Sequence, residues 1–360
     1  MRILHTESSM GWGGQEIRVL REAEGMRDRG HEVIFATAIS SQLSVRAKEK
    51  GFVVYEMGMK KYHGMISCFK LMRIIALHKI DLVNTHSSSD AWLGGIAARS
   101  MRCKLVRTRH LSGAIRKGWN SRILYRGLAD QVVTTCHAII PTICSQARCD
   151  PARVRCVATG IDPQISSSEE ERRAFRSSLG LKEEDLLIGT VCVMRSWKGI
   201  PDFLRAAVQL KQHAHLKWIL VGGGHLQDYE PLLDTWDLKE SVRFLGHLDP
   251  PYAALAAMDV FTLLSTANEG ISQASLQAAY LSKPLITTSI GGLPEVCLHR
   301  QTGLIVPPHR PDLVASAVLE LSKNAPLRYS LGERGRQLVL DKFLWQKTLD
   351  QMEEVYKKHE

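Results

Sequence analysis

The sequence predicts an α/β protein with two doubly wound domains, and three observations lead to this prediction. The chain has 360 residues, which is long for one ordinary domain and suits two. Short apolar segments alternate with amphipathic ones, as strands and helices do in a parallel sheet. The alternation loosens near 157–168, which carries Gly160, Pro163 and three serines ahead of the acidic run 169–171, and then restarts. We therefore place a linker there, with a ligand cleft between the two halves as the simplest architecture.

The first half shows four strand-like and three helix-like segments. Residues 15–30 carry apolar side chains at helical spacing, and Gly30 is placed to end that helix. The predicted strands are 2–6, 31–37, 81–86 and 104–110, and the predicted helices are 15–30, 69–80 and 90–101.

The second half repeats this alternation and ends in a helix. An apolar stripe at Phe343, Trp345, Leu349, Met352 and Tyr356 predicts the final helix. The predicted strands are 186–194, 217–222, 242–246, 259–265 and 284–289, the predicted helices are 199–212 and 272–282, and 303–308 is predicted as a loop.

Composition limits the cellular setting. Hydrophobic residues make up 44% of the chain, enough for a sizeable core, and no run of 18 apolar residues predicts a membrane span. The N-terminal segment lacks the apolar centre of a signal peptide. The eight cysteines form no C-x-x-C pair, so we expect reduced thiols and a cytoplasmic location.

The net charge of +10 is concentrated in the first half. Residues 1–165 hold 25 Lys and Arg against 13 Asp and Glu, a net charge of +12. Such asymmetry favours an anionic partner, such as an acidic membrane surface or a phosphorylated acceptor, although charge that serves only solubility explains it too. We expect no nucleic-acid partner, because no recognition motif accompanies the charge.

Several common cofactor motifs are absent. The loop from Gly11 has Glu16 at its sixth position, and no acid ends the second strand, so a dinucleotide site is not predicted. The sequence contains no GxxxxGK[ST] loop, GxSxG elbow, D-x-D or HExxH motif. We therefore predict neither a cofactor nor a bound metal.

Two cations follow the first strand of the second half. Arg195 and Lys198 come directly after 186–194, where parallel strands place ligand sites. A guanidinium and an ammonium together suit a diphosphate, and ordinary surface charge is the alternative. Gly222, after the next strand, suits a close backbone approach.

An acid and an amide bracket the start of the helix at 272–282. Glu269 lies just ahead of that helix, where free N–H groups and the helix dipole attract anions. Gln277 lies about 12 Å further along a regular helix, roughly the span of a folded nucleotide-sugar. A carboxylate and an amide could hold sugar and ribose hydroxyls, while an unrelated surface acid and amide remain the simpler alternative.

The segment 265–297 resembles the donor-binding signature of glycosyltransferase family 4, retaining enzymes with the two-domain GT-B fold. The signature is an acid, seven residues and a second acid, then a Lys/Gly-Pro turn and a Gly-Gly-x-x-Glu loop. This chain has Glu269, Gln277, Lys283–Pro284 and Glu295 there, so Gln277 departs from the family's second acid. The resemblance extends to 158–162, to 195–199 and to the terminal aromatic helix.

The resemblance implies domains at 1–164, 165–338 and 339–360, with the last helix returning to the first domain. It implies that Arg195 and Lys198 neutralise the donor diphosphate, that Glu269 binds the sugar and that Gln277 holds the ribose. His110 would lie near the reacting centre, with His86 a weaker candidate, and a strand-end histidine is the alternative for His110. The remaining donor-binding candidates are Gly13, Gly14, Gly222, Phe244, Leu245, Gly270, Ile271, Ser272 and Glu295.

The resemblance further implies metal-independent transfer from a UDP-sugar, or alternatively a GDP-sugar, to a glycan or lipid-linked acceptor in polysaccharide or lipopolysaccharide synthesis. The basic first half would then associate with the acceptor or with the inner face of the cytoplasmic membrane. The candidate residues for that surface are Lys60, Lys61, Arg116, Lys117, Trp119 and Arg122. A sugar-nucleotide 2-epimerase and a non-catalytic nucleotide-sugar binder remain alternatives.

Overall fold

Two parallel sheets flanked by helices form the framework of this protein in a computed structural model that describes residues 1–59, 64–111 and 113–358. The chain divides into unit 1, Met1–Thr159 with Gln346–Glu360, and unit 2, Gly160–Trp345. The predicted α/β class with two doubly wound, Rossmann-like domains is confirmed.

Unit 1 contains a seven-stranded sheet in the order β3-β2-β1-β4-β5-β6-β7 within the described residues. Its strands are β1 (Arg2–Glu7), β2 (Glu32–Ala38), β3 (Val53–Met57), β4 (Leu82–Thr85), β5 (Lys104–Arg109), β6 (Gln131–Thr134) and β7 (Val154–Cys156). Its helices are α1 (Gly14–Asp28), α2 (Gln42–Glu49), α3 (Gly64–Leu77), α4 (Ser88–Ser100), α5 (Trp119–Arg122), α6 (Ile140–Ala147) and, in the main, α14 (Trp345–Lys357).

Unit 2 contains a six-stranded parallel sheet in the order β10-β9-β8-β11-β12-β13. Its strands are β8 (Leu186–Val191), β9 (Leu216–Val221), β10 (Val242–Phe244), β11 (Val260–Leu263), β12 (Leu285–Thr288) and β13 (Gly303–Val306). Its helices are α7 (Glu169–Ser178), α8 (Ile200–Gln209), α9 (Glu230–Thr235), α10 (Tyr252–Ala257), α11 (Gln273–Tyr280), α12 (Pro311–Lys323) and α13 (Ala325–Lys342). Trp218 and Phe203 meet edge to face in its core, with ring centroids 5.0 Å apart.

The predicted loop at 303–308 is wrong for its first four residues, which form strand β13 and pair with β12. The strand lies close to its neighbour because a Cβ at Gly303 would lie 2.3 Å from the Leu285 carbonyl oxygen. The sequence Pro307–Pro308 follows the strand, and proline cannot donate a ladder hydrogen bond.

Helix α14 completes the core of unit 1. The Tyr356 hydroxyl donates to Glu22 Oε1 at 2.5 Å and accepts from Asn84 Nδ2 at 2.8 Å. Lys104 Nζ donates to the Tyr356 and Lys358 carbonyls at 2.5 and 2.6 Å, a cation at a helix C-terminus. The final helix therefore contributes polar partners to groups buried in unit 1, in addition to its apolar stripe.

Candidate active site

The loop after β8 presents Lys198 toward the loop after β11. Residues Ser196–Lys198 form one 3₁₀ turn, and Gly199 follows with φ of +70°. A Cβ at Gly199 would lie 2.0 Å from the Leu264 carbonyl oxygen, so only glycine allows the two loops to approach this closely. The Thr266 amide donates to the Trp197 carbonyl at 2.8 Å and joins the loops.

Lys198 and Glu269 form a largely buried ion pair between these loops. Lys198 Nζ donates to Glu269 Oε2 at 2.6 Å, and the side chains are 15% and 10% exposed. Ser265 Oγ donates to the same oxygen at 2.6 Å. The Thr288 hydroxyl bonds the Ser265 carbonyl and ties the arrangement to β12. Two donors on one carboxylate oxygen fix its position. The Lys198 ammonium and the Glu269 carboxylate are therefore held side by side.

Arg195, predicted to act together with Lys198, is exposed and lies over the Trp197 ring, with 5.3 Å between the guanidinium carbon and the ring centroid. Lys198 instead pairs with Glu269, an acid 71 positions further along the chain. A cation–π contact holds a guanidinium loosely at an exposed position, and the contact itself uses none of the N–H donors.

Helix α11 begins where the sequence predicts an anion site. The Ser272 side chain caps the helix by accepting from the Ser275 amide at 3.3 Å, and Gly270 and Ile271 lead into the cap. The Gly292 amide donates to the Glu269 carbonyl at 3.1 Å and draws the Gly-Gly loop alongside. Gln277 lies on α11 and is half-buried.

The remaining donor-binding candidates lie at the ends of neighbouring elements. Gly222 has φ of +139°, and a Cβ there would lie 1.9 Å from the Cys192 carbonyl oxygen. The Leu245 amide, which follows Phe244 at the end of β10, donates to the Leu220 carbonyl at 2.9 Å. Glu295 ends a 3₁₀ turn and is half-buried.

Sequence analysis missed Ser265 and Cys192 at this site. Ser265 lies two residues beyond the end of β11 and four residues before Glu269, and that spacing is the signal for a donor to the acid. Burial raises the pKa of the Cys192 thiol to about 11, so the thiol is neutral beside the ion pair at neutral pH.

In unit 1, the predicted His110 and His86 belong to a chain of three imidazoles. His86 Nδ1 lies 3.0 Å from His110 Nε2, and His86 Nε2 lies 2.8 Å from His5 Nδ1. His5 was missed by sequence analysis. Its signal is its place in the second half of β1, since His86 and His110 directly follow β4 and β5 and these three strands are neighbours in the sheet.

The glycine loop after β1 is held by a buried carboxylate. Gly13 caps α1 and Gly14 begins it, and the next side chain, Gln15, donates to Glu7 Oε2 at 2.5 Å. The Ser9 amide donates to Glu7 Oε1 at 2.8 Å. Burial raises the pKa of Glu7. This carboxyl therefore anchors both ends of the loop that leads into α1.

A second buried carboxyl, Asp90, supports the start of α4. It accepts from the backbone amides of His86 at 2.8 Å and Ser87 at 2.9 Å and from the Thr6 hydroxyl at 3.0 Å. Burial and the neighbouring Glu7 raise the pKa of Asp90 to about 7. Asp90 thereby fixes the segment that carries His86.

The predicted membrane-facing residues are largely on the surface. Arg116, Lys117 and Trp119 are exposed, and the Trp119 side chain is 75% exposed. The half-buried Arg122 lies over the Trp119 ring, 5.4 Å from its centroid. Lys60 and Lys61 lie outside the described residues. No described helix has the length and apolar character needed to cross a membrane.

These features define a class of protein. Two doubly wound parallel-sheet domains are the GT-B architecture, and unit 2 carries a cation and an acid together at the C-terminal ends of its strands. The chain matches the family model "Glycosyl transferases group 1" over residues 171–338 and the model "Glycosyltransferase Family 4" over residues 12–165. It belongs to the family 4 type of glycosyltransferases.

Known proteins resemble this chain over nearly its whole length. N-acetyl-α-D-glucosaminyl L-malate synthase of Bacillus anthracis is 23% identical over 370 residues, which cover 96% of this chain and 93% of the relative. A glycosyltransferase of Rickettsia africae has a TM-score of 0.90 at 19% identity, covering 100% of this chain and 99% of the other. HepE of Anabaena, solved with UDP, has a TM-score of 0.88 at 20% identity, covering 98% and 99%. HepE has also been solved with UDP-glucose.

Proposed function

We propose that this protein is a retaining glycosyltransferase that moves a sugar from a UDP-sugar, or alternatively a GDP-sugar, to a hydroxyl group of a glycan or lipid-linked acceptor. The observation that carries the proposal is the largely buried contact between Lys198 Nζ and Glu269 Oε2 at 2.6 Å. It brings the residue that we propose for the diphosphate next to the residue that we propose for the sugar. The complexes of HepE with UDP and UDP-glucose support the choice of nucleotide.

In this proposal Lys198 and Arg195 bind the diphosphate. Negative charge develops on the leaving diphosphate as the glycosidic bond breaks, and a fixed cation stabilises that charge. Lys198 is fixed by its bond to Glu269 and by the turn before Gly199. The backbone amides of 270–272, ahead of α11, would assist with the helix dipole. With these groups in place, we expect transfer without a divalent metal.

Glu269 binds the sugar in this proposal. Its Oε2 atom already accepts from Lys198 and Ser265, so its Oε1 atom serves sugar hydroxyls. Gln277 would hold the ribose, with its amide nitrogen donating and its amide oxygen accepting. No enzymic nucleophile is assigned, and the acceptor hydroxyl would attack the face of the sugar from which the nucleotide departs, which retains the anomeric configuration.

Unit 1 would receive the acceptor and a membrane surface. On α3 the side chains of Met65, Ile66 and Phe69 are 81%, 64% and 68% exposed, beside the exposed cation Arg73. Trp119 adds an aromatic ring at a second basic segment. Exposed apolar side chains among cations are typical of proteins that lie on acidic lipid surfaces. This surface suits a role in polysaccharide or lipopolysaccharide synthesis.

The site assignment is tested by thermal unfolding with UDP and UDP-glucose as probes. Ligand at about 100 times its Kd stabilises the native state by about 2.7 kcal/mol. We expect Lys198→Met to weaken binding of both probes by about ten- to a hundredfold, the loss of a charge-assisted hydrogen bond. Glu269→Gln should keep the shift with UDP and lose the additional shift with UDP-glucose.

Lys211→Met is the matched control, because Lys211 pairs with Asp237 on the exposed surface of unit 2. It should leave both shifts unchanged. Equal shifts in the Lys198 variant and the wild type would contradict the proposed diphosphate site. Binding without release of UDP over a panel of acceptors would favour a non-catalytic nucleotide-sugar binder instead.

The stereochemistry and the metal requirement have their own test. Proton NMR of the anomeric signal of the first product should show the configuration of the donor, and an excess of EDTA should leave the rate unchanged. An inverted product would refute retention. A rate abolished by EDTA and restored by a divalent cation would refute metal independence.

Vesicle co-sedimentation tests the membrane surface. Acidic vesicles should bind the protein at low salt and release it at high salt, because exposed charges are screened. Trp119→Ser should weaken this binding, whereas Tyr329→Ser, at a 72% exposed aromatic in unit 2, should leave it unchanged. Equal sedimentation with neutral and acidic vesicles would contradict the electrostatic part of the proposal.

A further inference from the structure

Three histidines form a continuous hydrogen-bonded chain across the centre of the unit 1 sheet. His5 lies in β1, His86 follows β4 and His110 follows β5. His5 Nδ1 lies 2.8 Å from His86 Nε2, and His86 Nδ1 lies 3.0 Å from His110 Nε2. His5 and His86 are buried, with their rings stacked 5.1 Å apart. Each contact is short enough to require a hydrogen between the two nitrogens.

The surroundings favour uncharged imidazoles. Burial lowers the pKa of His5 and lowers the pKa values of His86 and His110 well below the ordinary value. The positive charges of Arg18 and Arg107 act in the same direction on His86 and His110. Glu22 opposes the shift at His5, but burial outweighs it. A neutral imidazole has one donor nitrogen and one acceptor nitrogen.

The two hydrogen bonds can therefore be ordered in only two ways. In the first, hydrogens lie on Nδ1 of all three rings, so His5 donates to His86 and His86 donates to His110. In the second, hydrogens lie on Nε2 of all three rings, so His110 donates to His86 and His86 donates to His5. The tautomer of His110 is thus coupled through His86 to that of His5, because a neutral His86 cannot donate to both neighbours.

The buried end of the chain distinguishes the two orders. His5 Nε2 is buried and has no hydrogen-bond partner among the described residues. The second order would place an N–H there, and an unpartnered buried N–H group is rarer in proteins than an acceptor without a donor. The first order leaves a bare nitrogen instead, so it is the favoured one.

We propose that His5 and His86 are positioning residues that hold the hydrogen of a neutral His110 on Nδ1, so that His110 donates a hydrogen bond to the substrate and does not act as a base. Nδ1 is the nitrogen of His110 that lies outside the chain. The donation to substrate rests on the proposed glycosyltransferase function, whereas the order of the hydrogens does not. A fixed donor of this kind can stabilise a developing charge without reorganisation.

The order of the hydrogens is tested by NMR on the full chain labelled with ¹⁵N-histidine at neutral pH. Long-range proton–nitrogen correlations identify the tautomer of each ring, and His5→Phe, His86→Phe and His110→Phe assign the signals. We expect wild-type His110 to carry its hydrogen on Nδ1. His86→Phe should abolish that preference. His78→Phe is the control, because His78 bonds Tyr55 outside the chain and should leave the His110 signals unchanged.

The positioning role is tested by the kinetics of sugar transfer. His86→Phe should lower kcat about tenfold with KM for the nucleotide-sugar within about twofold, which corresponds to one lost hydrogen bond. His86→Asn, whose amide nitrogen lies close to the position of Nδ1, should recover most of the rate. Unchanged kcat in the folded His86→Phe variant would overturn the positioning role.

The two proposals fail in different ways. A wild-type spectrum with His110 protonated on Nε2 alone, or charged at neutral pH, overturns the proposed order. That spectrum decides even where His86→Phe does not fold, because His110→Phe assigns the signals. A spectrum with hydrogen on Nδ1 in a protein that transfers no sugar supports the histidine chain and refutes the proposed function.

Discussion

The replacement Gly199→Ala tests whether the approach of two loops positions Lys198. The added methyl group would lie 2.0 Å from the Leu264 carbonyl oxygen, and φ at this residue is +70°. A left-handed conformation costs an L-residue about 1–2 kcal/mol. Overpacking in a closely packed region costs about 1–3 kcal/mol more. We therefore expect Gly199→Ala to lower the free energy of unfolding by about 3 kcal/mol.

Gly180→Ala isolates the contribution of the contact. Gly180 also lies in unit 2, with φ of +66°, and a Cβ there would meet no atom within 4 Å. Only the conformational cost applies, so we expect a loss of about 1 kcal/mol. Urea unfolding followed by tryptophan fluorescence measures both values, and UDP-induced stabilisation measures the site. Equal losses in the two variants, with UDP binding retained in Gly199→Ala, would refute the claim that this contact positions Lys198.

Three further predictions concern helix α14. Tyr356→Phe should cost about 1.5–3 kcal/mol, because the Glu22 carboxylate loses a donor; a loss under about 0.5 kcal/mol in urea unfolding would contradict this. Lys104→Met should cost about 1 kcal/mol and speed amide exchange in the last turn of α14, and unchanged exchange would argue against its capping role. The hydrogen bond from Lys357 is the main cause that lowers the pKa of Glu353 to about 2. The ionised Glu353 therefore stabilises the folded protein above pH 4.5, and this contribution is lost as the pH falls toward 2. Glu353→Gln should reduce the dependence of the urea midpoint on pH between pH 4.5 and 2. The lost stabilisation should be under about 1 kcal/mol, because the pair is near solvent. An unchanged pH dependence in the variant would exclude this contribution.

The sequence predicted those strands that are continuous apolar runs. Segments such as 186–194 and 259–265 are recognisable because a central parallel strand is buried on both faces. The unpredicted strands of unit 1 lack that signature. Strand β3 is an edge strand with the exposed Val53, β6 carries polar residues at both ends, and β7 has only three residues. Their pairing is decided by the neighbouring strand, which local sequence does not contain.

The sequence selected Lys198 and Glu269 as candidate residues, but it did not predict the contact between them. Spacing selected Lys198 and Glu269 separately, since each follows the end of an apolar strand. Lys198 bonds Glu269, whereas Arg195 does not. This difference depends on the close approach of Gly199 to Leu264, which joins distant parts of the chain. His5 was missed for the same reason, because the order of strands in the sheet brings it to His86.

The position of α14 in unit 1 has a consequence for biosynthesis. Unit 2 is encoded between the main part of unit 1 and the helix that completes it. On the ribosome, domains generally fold in the order in which they emerge. Here the first sheet emerges early, but Glu22 and Asn84 meet the hydroxyl of Tyr356 only after all of unit 2 has been translated. Unit 1 therefore begins to form first and is finished last, and a nascent chain stalled within unit 2 exposes an incomplete polar core.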